Sequence, residues 1–342
     1  MITNPTPQRA LRGHRPERPR PRLAASGEYT ARLAARLTER DRWLAHMLHE
    51  HKVLTSSQIA ALAWPSLRAA NLRLLQLYTW RVIDRFQPFV TYGTAPMHYV
   101  LDVAGATILA REDGIEPTAL NYKHDRAIGL AHSLRLAHTV GTNAFFAALI
   151  HDSRRPDAAG HLTAWWSEAR CTRHYGDIVR PDAYGRWQQH DTGAEFEWFL
   201  EFDFGTERPE RVGAKLGGYA KLAATTGIIT PVLVWVPTPD REVRVRRALA
   251  DALDLLDDPG SVPIATTSGD LQETVPAPGT SRWLPLFPNR TANRRPLTDL
   301  HRAWPQLPRL TPAATPGQDA SGNTPAAPNP WPPRPSVRRP GR

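Results

Sequence analysis

The segment Glu195–Phe204 constrains the fold of this chain more than any other. It is largely aromatic and aliphatic and is predicted to form a buried strand, yet Glu201 and Asp203 lie near its end. Side chains alternate between the two faces of a strand, so these two carboxylates share one face. Burying them is costly unless cations or hydrogen-bond donors surround them. The pattern therefore predicts an acidic cluster with compensating partners.

Two further charged residues are expected to join this cluster. Asp182 follows Pro181 in a predicted strand over 178–187, and a hairpin would bring its side chain beside Glu201. Lys215 lies in the predicted helix that follows the acidic strand. We therefore expect a carboxylate pair and an ammonium group to meet in space.

Three converging carboxylates suit Mg²⁺, for which Mn²⁺ is a substitute. The candidate metal ligands are Asp182, Glu201 and Asp203. The ion would stabilise charge on a scissile phosphate and lower the pKa of a bound water, while Lys215 would stabilise the developing negative charge. The alternative is an ion-pair network in which Lys215, Arg180 and Arg211 neutralise the carboxylates and hold the domain together.

The elements predicted around this cluster run in the order α-β-β-β-α-β-α. This order implies a mixed sheet flanked by helices, in a domain over residues 120–290. The run Ile228–Val236 has the composition of a strand that is buried on both faces. The predicted helices cover 125–151, 207–225 and 241–256, and the predicted strands cover 163–170, 178–187, 195–204 and 228–236.

Residues 38–110 are predicted to form three short helices and a hairpin, which is the pattern of a winged-helix domain. Thr55 is a good N-cap for the second helix, and Pro65 ends that helix. The third helix, about 66–80, would enter the major groove of DNA. An ordinary solvated helix face is the alternative. The candidate DNA-binding residues are Arg68, Asn71, Arg73, Gln76, Arg81 and Arg85.

The formal net charge of +10 favours a polyanionic partner, namely double-stranded DNA. A genome of high GC content is the alternative source of so much arginine. Residues 1–27 and 291–342 are rich in Arg or Pro and are predicted to be disordered arms. The single cysteine excludes a disulfide within the chain, and the longest apolar run is too short to span a membrane. We therefore expect a cytoplasmic protein with no membrane partner.

The run from Arg180 to Tyr219 resembles the signature of the replication-relaxation family. The segment SSQIAALAWPSLRAANLRLLQL, inside the predicted winged helix, is similar to that family too. The resemblance covers about residues 38–290. It implies a role in plasmid replication and DNA relaxation on actinobacterial plasmids and mobile elements, with plasmid replication or relaxosome proteins as further partners.

The same run also looks like the PD-(D/E)xK nuclease superfamily, which implies a restriction-endonuclease-like αβββαβ domain. Asp182 and Glu201 match its two acidic positions, whereas Asp203 occupies its lysine position. The resemblance implies that Lys215 supplies the ammonium group from a migrated position. Glu168, near the end of the first predicted strand, is a further candidate ligand. The expected fold class is therefore α+β and multidomain, with a winged helix before the nuclease-like domain.

Three functions remain open at this point. The first is a DNA-binding protein of plasmid replication that nicks a strand with Mg²⁺, using Asp182, Glu201, Asp203 and Lys215. The second is a non-catalytic DNA-binding regulator or adaptor, which the aspartate in the lysine position favours. The third is a component of a relaxosome-like assembly whose winged helix contacts another protein.

Overall fold

A computed structural model describes residues 17–90, 93–269, 278–280, 282–287, 292–307 and 326–334. The chain divides into two compact units, residues 1–143 with 328–342 and residues 144–327. The predicted α+β class is confirmed, because each unit combines helices with a sheet of its own. Among the described residues, no helix has the length and apolar character needed to cross a membrane.

The first unit consists of helices around a small antiparallel sheet. Its elements are α1 (Pro21–Ala24), α2 (Gly27–Ala34), α3 (Glu39–His51), β1 (Leu54–Thr55), α4 (Ser56–Ala63), α5 (Leu67–Thr79), β2 (Ile83–Phe86), β3 (His98–Leu101), α6 (Val103–Glu112), α7 (His124–Gly129), a 3₁₀ turn (Leu130–His132) and α8 (Leu136–Asp152). The strand order is β1-β3-β2, with β3 antiparallel to both neighbours. The unit boundary at residue 143 falls within α8.

Local capping explains where the helices of the first unit begin. Thr38 and Thr55 each accept a hydrogen bond from a backbone N–H of the first turn, and each forms a capping box. The hydroxyl of Ser66 caps α5 in the same way. The extended conformation of Trp64, which precedes Pro65, ends α4. Short polar side chains thus set the boundaries of α3, α4 and α5.

The second unit is built on a six-stranded mixed sheet. Its elements are β4 (Gly160–Ser167), α9 (Glu168–Tyr175), β5 (Ala183–Gln189), β6 (Glu195–Phe202), α10 (Pro209–Ala214), α11 (Leu216–Thr226), β7 (Val232–Val236), α12 (Pro239–Leu253), a 3₁₀ turn (Pro259–Ser261), β8 (Ile264–Ser268), β9 (Leu284–Leu286) and a 3₁₀ helix (Leu297–Ala303). The strands lie in chain order. The pairs β6–β7 and β7–β8 are parallel, and the other neighbours are antiparallel.

The register of β5 and β6 positions the acidic residues. Ala183 pairs with Leu200, so Asp182, just before β5, comes next to Glu201. On the same face of β6 as Glu201 lies Phe199, which is buried in a cluster with Tyr219 of α11. Helix α11 therefore covers the face of the sheet on which Glu201 lies.

Several boundaries differ from the sequence predictions. The helix expected over 125–151 is interrupted, because Ser133 is extended between the 3₁₀ turn and α8. The first strand stops at Ser167, whose hydroxyl caps α9, so Glu168 begins a helix. The helix expected over 207–225 is divided at Lys215 into α10 and α11.

The predicted arms are only partly described. Residues 1–16, 308–325 and 335–342 lie outside the described residues. Part of the expected C-terminal arm forms the 3₁₀ helix Leu297–Ala303, in which Leu297 and Leu300 are fully buried. Arginine and proline content thus did not reveal the apolar residues that anchor this segment.

Candidate functional site

Glu201 is the centre of the acidic cluster. It lies in β6 and is only 3 % exposed. Lys215 Nζ donates to its Oε2, and the hydroxyl of Tyr219 donates to its Oε1 at 2.5 Å. Lys215 stands at the junction of α10 and α11, and Tyr219 follows it by one helical turn. Two neighbouring side chains of one helical segment therefore hold both oxygens of the carboxylate.

Asp182 is the second carboxylate of this cluster. Its Oδ2 accepts a hydrogen bond of 2.8 Å from the backbone N–H of Phe202, and its own N–H donates to Leu200 O. These bonds fix Asp182 against the end of β6. Its side chain remains half-buried, so it lies at the edge of the site that solvent reaches.

The charges of the cluster are not balanced. Burial, together with the negative charge of Asp182, raises the pKa of Glu201 to about 7, although Lys215 and Tyr219 act to lower it. Burial lowers the pKa of Lys215, but the charges of Glu201 and Asp182 outweigh it and raise the net value. Burial and the Glu201 charge also raise the pKa of Tyr219, which stays a neutral donor. The site therefore favours an added positive charge or a proton.

Asp203 belongs to a different group of contacts. Its Oδ2 accepts a 2.7 Å bond from Arg241 Nε in α12, and its Oδ1 accepts a 2.8 Å bond from Gly205 N–H. Gly205 has a φ of 77°, a left-handed conformation that glycine adopts without strain. Both oxygens of Asp203 thus hold the turn after β6 and α12, whereas we expected them to face Asp182 and Glu201.

The oxygen donors of Asp182 and Glu201 are of the type that Mg²⁺ binds. The buried, partly uncompensated charge of Glu201 fits a divalent cation as well. Each Glu201 oxygen accepts one hydrogen bond and keeps a second lone pair for an ion, but a cation at Oε2 would repel the Lys215 ammonium, so metal binding favours movement of Lys215. The pair therefore fits a metal ion with a rearranged lysine, and Asp203 adds no ligand in this geometry.

A second acidic cluster lies in the first unit. Ligand atoms of Asp84, Asp102 and His124 lie within 4.8 Å of one another. Arg18 donates to both carboxylates, and Arg81 Nε lies 3.2 Å from Asp102 Oδ2. Because two guanidinium groups already neutralise two carboxylates, this cluster is a structural ion-pair network.

Helix α5 presents some of the candidate DNA-binding residues to solvent. Arg68, Asn71 and Gln76 are exposed on it. Leu72, at 63 % exposure, lies on the same outer surface. The exposed polar side chains are free of the core and remain candidates for contacts with a partner.

The other predicted DNA-binding residues make contacts within the first unit. Arg73 donates to both carboxylate oxygens of the buried Asp41. Arg81 is buried beside Asp102, and Arg85 lies 4.3 Å from the Tyr78 ring centre. Arg73 and Arg81 therefore stabilise the fold, and Arg85 is held against an aromatic ring.

Sequence reasoning missed two residues of the second unit, Tyr219 and Arg241. Tyr219 follows Lys215 by four positions, a spacing that puts both on one side of a helix, so it was detectable. Arg241 lies 38 residues from its partner Asp203, and no local pattern connects them.

Comparison with protein families shows which family the chain matches. The model of the family described as Replication-relaxation matches residues 46–233, more than half of the chain. The matched segment contains α5 as well as Asp182, Glu201, Lys215 and Tyr219. No curated protein matches the chain.

Proposed function

Since this chain belongs to the replication-relaxation family, we propose that it binds DNA and nicks one strand during plasmid replication and relaxation. The observation that carries the proposal is the buried Glu201 carboxylate, whose pKa is raised to about 7 beside Asp182 and which contacts Lys215. Carboxylates with perturbed pKa values cluster at functional sites, catalytic ones among them. The element order α8-β4-α9-β5-β6-α10/α11-β7, in which the short helix α9 is inserted between the first two strands, supports a PD-(D/E)xK nuclease-like domain.

In this function, Asp182 and Glu201 would hold Mg²⁺ through their carboxylate oxygens. When bound, the ion would supply Lewis-acid stabilisation of the phosphate and an activated water. Lys215 leaves Glu201 and stabilises the negative charge that develops on the phosphate oxygens. Tyr219 continues to donate to Glu201 and orients its carboxylate. Asp203 assists by holding Arg241 and the turn that follows the acidic strand.

DNA binding is assigned to the first unit. Its order α3-β1-α4-α5-β2-β3, with a three-stranded antiparallel sheet, supports a winged helix in which α5 is the reading helix. Arg68, Asn71 and Gln76 are its exposed polar groups. The net charge of +10 supplies the attraction to phosphates.

Nicking of supercoiled plasmid by the full chain tests the catalytic proposal. With Mg²⁺ or Mn²⁺ we expect open circles from the wild type, and only background from Asp182→Ala and Glu201→Gln. Asp257→Asn, an exposed acidic residue of the same unit, is the matched control and should nick normally. Equal nicking by wild type and Asp182→Ala would reject the enzyme.

A second candidate is a DNA-binding regulator without chemistry. Two observations favour it: Asp203 stands where the nuclease superfamily has lysine, and both Glu201 oxygens already accept hydrogen bonds. Under this function the Glu201–Lys215 contact only stabilises the second unit. Duplex binding that weakens steeply with salt, together with no nicking, identifies the regulator.

A further inference from the structure

The outer surface of α5 carries more apolar side chains than an ordinary solvated helix. Leu67, Leu72 and Leu75, which we call the leucine face, are 47 %, 63 % and 43 % exposed. With Arg68 and Asn71 they line a shallow groove of about 480 Å³. Exposed apolar groups that are grouped in this way mark a binding surface.

The spacing within α5 places a polar side chain next to each leucine. Asn71 lies four residues after Leu67 and four before Leu75, so these three share one row of the helix. Arg68 precedes Leu72 by the same interval. Every apolar group on this surface therefore has an amide or a guanidinium group beside it.

The major groove of DNA offers a matching pattern. An A·T pair presents adenine N6 and N7, which an asparagine side chain contacts with two hydrogen bonds, and beside them the thymine methyl group. Arginine contacts the N7 and O6 of guanine. The cationic Arg68 beside the leucine face and the net charge of +10 favour this polyanionic partner over an apolar protein surface.

We propose that the leucine face of α5 packs against thymine methyl groups in the major groove, while Asn71 contacts adenine of the same or a neighbouring pair. The inference rests on the proposed DNA binding by the first unit and adds the base type that is read. The recognised duplex is thus rich in A·T pairs, with guanine where Arg68 reaches the groove.

Replacing thymidine by deoxyuridine tests this directly, because uracil keeps the hydrogen-bonding groups of thymine and lacks only its methyl group. The full chain first selects duplexes from a random-sequence pool, and the selected duplex is remade with uracil. We expect a loss in affinity of about fourfold for each contacted methyl group, and about tenfold or more for two.

Substitutions test whether the leucine face itself produces the preference for thymine over uracil. Leu72→Ala combined with Leu75→Ala should lose most of the preference for the thymine duplex over the uracil duplex, with unchanged helix content, because alanine is a better helix former than leucine. Ile228→Ala removes a leucine-sized side chain, 55 % exposed, from the second unit and should keep the wild-type preference.

The results of these binding experiments distinguish the thymine inference from the proposed DNA binding itself. Tight binding of the selected duplex that ignores the methyl group overturns this inference and leaves DNA binding intact. Absence of any duplex binding at low salt rejects DNA binding itself. If the double leucine variant instead abolishes self-association seen by sedimentation, the leucine face is a protein contact and the thymine inference is wrong.

Discussion

Each unit of the molecule holds a pair of neighbouring carboxylates, at least one of them buried, and the two pairs are compensated differently. In the first unit, Asp102 is fully buried and contacts Arg18 at 2.5 Å and Arg81 at 3.2 Å, while Asp84 contacts Arg18 at 3.0 Å. In the second, Glu201 contacts one ammonium group and one neutral hydroxyl, beside Asp182.

In the first pair both carboxylates also accept a backbone N–H bond, whereas in the second pair, among the described residues, only Asp182 accepts one, from Phe202. Val103 N–H donates to Asp102 Oδ1 at 2.7 Å, and Arg85 N–H donates to Asp84 Oδ1 at 2.8 Å. The pKa of Glu201, by contrast, stays raised to about 7 despite its partners. A pair matched by two guanidinium groups stabilises a fold, whereas a pair with excess negative charge is suited to binding a cation.

The largest loss of stability is expected on removing a carboxylate that is paired with guanidinium groups. Asp102→Ala leaves Arg18 and Arg81 in a buried site without their shared partner, and should lower the free energy of unfolding by about 3–5 kcal/mol. Denaturant unfolding of the full chain measures this loss. Glu116→Ala, an exposed acid of the same unit, is the control. A change under about 1 kcal/mol in Asp102→Ala would show that the first cluster is not structural.

A somewhat smaller effect is expected for Arg73→Ala. This change leaves Asp41 buried, although Thr38 still donates to it, and should cost about 2 kcal/mol. Arg68→Ala, on the exposed surface of the same helix, should leave unfolding unchanged and weaken duplex binding instead. If both variants lose DNA affinity without losing stability, Arg73 faces the partner and its pairing with Asp41 is incidental.

The second cluster should show the opposite dependence on pH from an ordinary paired carboxylate. The pKa of Glu201 is raised in the folded state, from 4.5 to about 7, so folding binds a proton between these values. This contribution to stability is full below pH 4.5 and is lost as the pH rises through about 7. Glu201→Gln cannot titrate at this position, so its stability should lack this decline between pH 4.5 and 7, whatever constant cost the loss of the Lys215 partner adds.

The comparison is made by denaturant unfolding of both proteins from pH 5 to pH 8. The unfolding free energy of Glu201→Gln minus that of wild type should increase by on the order of 1 kcal/mol per pH unit up to about pH 7 and then level off. A difference that stays constant would mean that Lys215 fully compensates the carboxylate, which would make the two clusters alike.

The smallest effect on stability is expected from the titration of His124. A hydrogen bond to Asp102 raises the pKa of this imidazole, although burial acts to lower it. Its stabilising contribution is therefore present below pH 6.5 and is lost as the pH rises through the raised value. His124→Gln should remove this dependence from the unfolding curve, and His132→Gln, which lies outside the cluster, should keep it.

Much of the second unit could be predicted from local patterns. The alternation in β6 placed Glu201 on a definite face, and a hairpin separates it from Asp182 by a short loop. Only one turn and the short helix α10 separate Lys215 from the strand that carries Glu201. Elements that follow one another in the chain often pack together. Contacts between residues of such elements can therefore be predicted from the sequence.

The same alternation failed for Asp203, since β6 ends at Phe202. Beyond the strand the backbone turns at Gly205, and the carboxylate meets Arg241. Likewise, Arg73 looked like a surface cation on an amphipathic helix, but it pairs with Asp41, 32 residues earlier. Which cation reaches which carboxylate depends on how distant elements pack.

Periodicity and capping, read along the chain, were enough to identify the acidic strand, the starts of α4 and α5, and the contact of Glu201 with Lys215, because these depend on near neighbours. The assignment of Asp203 to Arg241 and of Asp102 to Arg18 came from the packed molecule alone. The sequence does not show which of several arginines or lysines will pair with a given carboxylate. The pairing is decided by the low-dielectric site into which each side chain is packed, where charge interactions are strong.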